Sequence, residues 1–228
     1  MSGELHIGKK VFTKKQIFWS VLSLILIIFF AKVGIWEIAY YTSKEGSTRA
    51  VATTPAVEEE VSEEEVTEEQ RAEYYVPADH PRYLNIESLG VAKSRIMSLG
   101  QNSDGSLATP NNIFDVAWYN GSAKPGSGGT IVINGHNGGP NIIGVFKYLP
   151  NVQKGEKITI ERGDGTIFTY EVVENVTVPL SEANSYMKTA FSSPVEGRES
   201  LTLITCTGDW SAVQNTYLSR QFLRAVLI

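Results

Sequence analysis

One cysteine, Cys206, is present in a chain of 228 residues, so no disulfide can close within it. Three histidines and that lone thiol offer no metal-ligand spacing, which excludes a zinc finger or ribbon. The glycine-rich piece Gly126 to Gly129 leads into a strand-like run instead of opening a helix, so it reads as a turn and not as a phosphate-binding loop. No repeat recurs at a fixed period. The formal net charge of −5 gives no basis for binding nucleic acid. Neither a metal nor a cofactor is therefore expected.

The charge is unevenly placed. Lys9, Lys10, Lys14 and Lys15 occupy a basic head, residues 1–16. Nine glutamates from Glu58 to Glu73 stand against Arg71 alone. Between them lies the longest apolar run, Ile17 to Ala31, which resumes as far as Trp36 past Lys32. That length matches the ~20 residues an α-helix needs to cross a bilayer, and Lys32 is near enough to one end to snorkel. Trp19, Trp36, Tyr40 and Tyr41 would sit at the interfaces. A cleaved signal peptide is the competing reading, but Ala50-Val51-Ala52, the small-x-small triplet, falls far beyond the apolar run. We expect a transmembrane anchor at 17–41, with the lysine-rich N-terminus cytoplasmic and the rest of the chain extracellular. Residues 42–79 carry no sustained apolar period and read as a flexible, Glu-rich linker, with a solvated helix between Pro55 and Tyr75 as the alternative.

Residues 80–228 are long enough to bury a core without disulfides. Short β-branched or alternating runs, separated by turn pairs such as Asp104-Gly105, Asn120-Gly121 and Asp164-Gly165, predict eight strands. They lie near 83–87, 94–99, 114–118, 129–134, 157–161, 167–178, 201–205 and 221–228. Many short strands at this spacing predict an all-β barrel or sandwich with short helices at 142–149 and within 181–191.

Three residues then attract notice together. Cys206 closes the run Leu201 to Thr205, His136 follows the run Thr130 to Asn134 between glycine-containing turns, and Arg220 opens the last run. Each has a bland reading: a small buried hydrophobe, a loop imidazole, a surface charge. As a set they supply a thiol, a proton-transfer partner and a donor for an oxyanion. Arg224 competes with Arg220 for the third role.

Thr202-Leu203-Ile204-Thr205-Cys206 reproduces a TLxTC motif, Asn134-Gly135-His136 a strand-end histidine, and Arg220 to Ala225 an R-x-x-x-x-A pattern. Together they resemble the sortases, membrane-anchored cysteine transpeptidases of bacterial surfaces. The resemblance covers 80–228, and it implies an eight-stranded sortase-like barrel. It further implies that Cys206 attacks the Thr carbonyl of an LPxTG-like sorting signal, that His136 acts as acid and base, that Arg220 holds the oxyanion and that Thr205 lines the pocket. The implied acceptor is an amine, from a peptidoglycan precursor or a pilin lysine. A tethered barrel that only binds, and a thiol hydrolase of other esters or amides, are the rival readings.

Overall fold

The computed structural model describes residues 61–228 apart from Pro140, together with two short N-terminal strands, β1 (Leu5–Ile7) and β2 (Lys10–Phe12). These two strands pair antiparallel, Leu5 opposite Phe12. The expected membrane segment and the first part of the linker lie outside the described residues. Among the described residues no helix is long and apolar enough to cross a membrane. The chain divides into two units, Met1–Val57 and Glu58–Ile228.

The second unit is a closed barrel. Its eight strands are β3 (Pro81–Ile86), β4 (Val91–Leu99), β5 (Val116–Tyr119), β6 (Thr130–Gly135), β7 (Lys157–Arg162), β8 (Ile167–Pro179), β9 (Ser200–Ser211) and β10 (Thr216–Leu227). They close in the order β10-β8-β7-β3-β4-β5-β6-β9, with β9 returning to β10. The β4–β5 and β6–β9 pairs are parallel and the others antiparallel. All eight expected strands are present. Each strand of the closed barrel has a neighbour on both sides, and alternate side chains fill the interior: Leu84, Ile86, Ile131, Ile133, Ile158, Ile160, Leu201, Leu203 and Leu223 are fully buried there around Trp118, Phe146 and Tyr170.

A second, smaller cluster lies on the outer face of the barrel. Val132, Ile204, Phe222 and Val178 project outward and are covered by α2 (Leu180–Ala190) through Tyr186, Met187 and Ala190. The Thr202 hydroxyl donates to the Ala190 carbonyl at 2.8 Å and ties the helix end to β9. The helix expected within 181–191 is thus a cover on the strands that carry the site.

The barrel unit begins ahead of residue 80. Residues 61–79, read from composition as free linker, are held against it. Ser62 pairs with Asn112 in a parallel bridge, Val66 is buried, and a five-residue helix, α1 (Glu68–Ala72), starts with a Thr67/Gln70 capping box. The Tyr74 hydroxyl donates to the Ile96 carbonyl at 2.5 Å, and the Tyr83 hydroxyl donates to the Arg71 carbonyl. Burial pushes the Tyr74 hydroxyl up to about 12. A composition dominated by glutamate hides these anchors, because a strap needs only a few buried contacts, at irregular spacing, to be held.

Candidate active site

The ladder from β6 to β9 ends at Asn134 opposite Ile204, and the ladder from β8 to β10 ends at Pro179 opposite Ser219. Beyond those pairs β9 and β10 continue as a two-stranded hairpin to Ser211 and Thr216. Cys206 and Arg220 are directly opposite each other at this junction. The sequence predicts strands that end at Thr205 and begin at Gln221; the structure carries both past Cys206 and Arg220. Past Thr207 and Ser219 the two strands pair only with each other, and such a ribbon lacks the apolar alternation by which a strand shows in sequence.

Parity decides which way these side chains face. Leu201, Leu203, Leu223 and Ala225 point into the core, so Ile204 and Phe222 point out, and Cys206 and Arg220 follow them on the outer face. On β6, Ile131 and Ile133 point in and Val132 out, which puts Asn134 outward and His136 next in that series. Thiol and guanidinium therefore share the outer face, and His136 follows the end of β6 at the same rim of the barrel. Directly opposed residues on neighbouring antiparallel strands have Cβ atoms ~4.5–5.5 Å apart, so Arg220 and Cys206 are within reach.

Two side chains continue the β6–β9 connection after the backbone ladder stops. The Thr205 hydroxyl donates to the Gly135 carbonyl at 2.9 Å, and the Asn137 side-chain amide donates to the Cys206 carbonyl at 2.7 Å. They staple the segment around His136 to the segment around Cys206. Thr205 is buried with its hydroxyl engaged in this way, so the structure gives it a positioning contact. Asn137, which the sequence reading did not single out, is buried, and its Oδ1 has no partner among the described residues. Gly135 is required at its position because the Phe146 ring lies 2.7 Å from where a Cβ would sit.

His136 has an assignable tautomer. Its Nε2 is 2.8 Å from the Pro110 carbonyl, an atom that only accepts, so Nε2 carries a proton. The ring nitrogen left to exchange a proton is Nδ1. Asn134 donates to the Ala108 carbonyl at 3.0 Å, so the 108–110 segment braces both outward residues.

Arg220 donates to the Tyr217 and Ser219 carbonyls at 2.9 and 3.0 Å through Nη1 and to the Thr216 hydroxyl at 3.2 Å through Nη2. A guanidinium has five N–H groups, so these bonds fix its plane and leave Nε–H and one Nη2–H for another acceptor. Arg224, by contrast, is buried and bound to Glu174 at 2.6 Å and to the Ser192 carbonyl at 2.8 Å. It is a fastener between β10, β8 and the end of α2.

Burial pushes the Cys206 thiol above the usual cysteine value, while the charge of Arg220 pulls it back down. Arg220 is thus the neighbouring charge that favours the thiolate. Beside His136 a cavity of about 740 Å³ opens, walled by strap residues Val61 to Glu64, by Gly138, Gly139 and Asn141, and by Trp210 and Tyr217 of the hairpin. Glu63 accepts from the Asn141 and Ile142 backbone at 2.9 and 3.3 Å and from the Asn141 side chain at 3.0 Å. Those bonds, the Asn141 backbone N–H first, hold its carboxyl below the usual carboxylate range.

A family model described as a sortase domain matches residues 84–228. The chain belongs to the sortase family. Solved structures similar to this sortase include a pilus-related sortase C of Group B Streptococcus, at 22% identity and TM-score 0.49, covering 74% of this chain and 76% of that one. A sortase D5 transpeptidase of Clostridium perfringens shares 24% identity at TM-score 0.45, over 71% of this chain and 89% of that one. The SrtA sortase of Actinomyces oris shares 17% identity at TM-score 0.48, over 65% and 79%. Comparison with curated proteins gives no match. Family membership makes this sortase a transpeptidase, and its barrel is the architecture the sequence resemblance implied.

Proposed function

We propose that this sortase is a cysteine transpeptidase in which Cys206 is the nucleophile, His136 the acid and base, and Arg220 the oxyanion donor. The observation that carries the reading is the junction of the β9–β10 hairpin with the barrel, where Cys206 and Arg220 are directly opposed and Asn137 ties the His136 segment to the Cys206 carbonyl. The substrate is an LPxTG-like sorting signal. The Cys206 thiolate attacks the Thr carbonyl carbon, and the oxyanion accepts from the two free N–H groups of Arg220, a stabilisation of the kind that preorganised donors give. The adduct collapses as the C–N bond breaks, and Nδ1 of imidazolium His136 gives its proton to the departing amine. A thioester on Cys206 remains. An incoming amine then attacks it, neutral His136 takes the amine proton, the C–S bond breaks, and the thiolate returns paired with imidazolium.

The raised thiol pKa limits how much thiolate exists before substrate binds, so Arg220 serves both steps: it favours the thiolate and later the oxyanion. Thr205 and Asn137 act through position, by holding the histidine segment on the cysteine strand. We further infer that residues 17–41 anchor the enzyme with its N-terminus cytoplasmic and its barrel outside the cell, which the lysine-rich head and apolar run support. Mass spectrometry of the full-length chain incubated with an LPxTG-type peptide library tests the reading. A thioacyl adduct on Cys206, lost in Cys206→Ala, is the expected result. A cleaved peptide with no adduct, or an alanine variant of undiminished rate, overturns it. A membrane-impermeant thiol reagent tests the topology, and labelling only after lysis overturns that part.

A further inference from the structure

His136 depends on two segments, and neither is held by the barrel alone. One is the turn that follows it: the Asn137 carbonyl accepts from the Gly144 N–H at 2.8 Å and the His136 carbonyl from the Phe146 N–H at 3.0 Å, so the histidine sits at the base of a narrow loop. The other is the 108–113 segment, whose Pro110 carbonyl accepts from Nε2. The strap bonds to both. Ser62 donates its N–H to the Asn111 carbonyl at 2.7 Å and accepts from the Ile113 N–H at 3.1 Å, and the Asn112 side-chain amide donates to the Glu64 carbonyl at 2.8 Å. Between these bonds the Glu63 carboxylate reaches the other way, to the Asn141 and Ile142 backbone and the Asn141 side chain at the far end of the loop. Bonds from backbone N–H groups to a charged carboxylate are the stronger kind. The fit at Gly139 is specific: a Cβ there would run into Glu63 Oε1, and the three atoms nearest to it all belong to Glu63.

The strap lines the cavity beside His136 without filling it, so its contacts brace the two supports of the histidine instead of covering the site. Resting on the transpeptidase reading above, we propose that Glu63 is a positioning residue for His136. Its carboxylate joins the 141–142 turn to the strap, and the strap backbone joins that pair to the 110–113 segment. Nε2 is thereby kept on the Pro110 carbonyl, and Nδ1 is kept free for the departing and incoming amines. Release of Glu63 lets the loop move away from Pro110, and the imidazole then loses both its fixed plane and its single tautomer. Glu63 touches no substrate and transfers no proton.

The test uses the full-length chain in detergent with the best-cleaved peptide of an LPxTG-type library. Glu63→Ala is expected to lower kcat per folded molecule by roughly 10- to 10²-fold, the scale on which misplacing a reacting group by an ångström acts, with KM for the peptide changed less than about twofold. Glu63→Gln, which keeps an acceptor for the two backbone N–H groups, is expected to recover most of that loss. Gly139→Ala should reproduce the loss by displacing the carboxylate, and it should add little to Glu63→Ala, because the atoms it meets are then gone. Glu65→Gln, at an exposed strap position, changes the charge equally and should leave kcat unchanged. Nitrogen NMR of the His136 ring, identified by its loss in His136→Ala, reads the imidazole without turnover. The Nδ1 and Nε2 shifts are expected to be far apart in the wild type and to move together in Glu63→Ala. A Glu63→Ala variant with unchanged kcat or unchanged His136 shifts overturns the proposal, as does a raised kcat, which would make the strap a cover. So does a Gly139→Ala loss that adds fully to that of Glu63→Ala. Absence of thioacyl-enzyme with every library peptide instead overturns the transpeptidase reading, and the His136 shifts still decide whether Glu63 positions the ring.

Discussion

Arg220 and Arg224 are four residues apart on the same strand and the same face, yet the structure uses them in opposite ways. Arg224 is in the half of the β9–β10 hairpin that belongs to the barrel, where β8 supplies Glu174 and the segment after α2 supplies the Ser192 carbonyl. Arg220 is at the junction where the ladders to β6 and β8 end and the hairpin runs on alone. Its fixed bonds go to its own turn, through Tyr217, Ser219 and Thr216, and two of its N–H groups are left for another acceptor, on a strand position directly opposite Cys206. A guanidinium surrounded on all sides becomes structure. One held from a single side becomes available for chemistry.

Substitutions sharpen that contrast. Cys206→Ala should have the largest effect, with no thioacyl adduct and no transfer product by mass spectrometry, while the thermal midpoint stays close to wild type because the side chain is small and half-buried. Arg220→Ala should follow, with kcat/KM lowered by roughly 10²- to 10³-fold, the usual loss for an oxyanion donor, and little change in urea stability. Arg220→Lys should restore only part of that loss, because a point charge does not replace the fork. Arg224→Ala should show the reverse pattern: about 1–3 kcal/mol lost in urea unfolding, since Glu174 keeps some solvent and its pairing is partly screened, with kcat/KM lowered far less than in Arg220→Ala. If Arg224→Ala loses more activity per folded molecule than Arg220→Ala, the two roles are exchanged.

The smallest expected effect concerns the thiol itself. Burial raises the Cys206 pKa and Arg220 lowers it, so alkylation by iodoacetamide should rise with pH through a midpoint above the ordinary cysteine range. Removing Arg220 takes away the lowering influence. The midpoint of Arg220→Ala should therefore move further up, and alkylation at neutral pH should slow. An unchanged or lowered midpoint would show that Arg220 does not act on the thiolate. Asn137→Ala belongs beside this test: about 1 kcal/mol of stability lost with the bond to the Cys206 carbonyl, and a fall in kcat that exceeds any change in KM for the sorting peptide.

Much of the barrel was legible because strand formation is local. Runs such as Thr130 to Asn134 and Leu201 to Thr205 carry their own β-branched composition, and the turn pairs between runs mark where each strand stops. The motif residues Cys206, His136 and Arg220 were legible for the same reason: each adjoins such a run. The choice of Arg220 over Arg224 rested on its place at the start of a strand, and the structure supplies a different physical ground, the ion pair that occupies Arg224. Asn137 and Glu63 carried no local signal, since their value lies in partners 69 and 78 positions away.

What the sequence alone determined, then, are the strands, the turns, the candidate residue types and the apolar run near the N-terminus, all of which follow from side-chain period and composition over a few neighbours. The tertiary structure decided the rest: that the acidic segment from Val61 to Asp79 is a strap, that Cys206 stands inside a long hairpin, that Cys206 and Arg220 share the outer face, and that an aromatic and acidic cavity borders His136. Each of those depends on pairings between distant strands, and closure of the barrel fixes such register globally, because a shift of one residue in any strand turns its whole set of side chains to the other face.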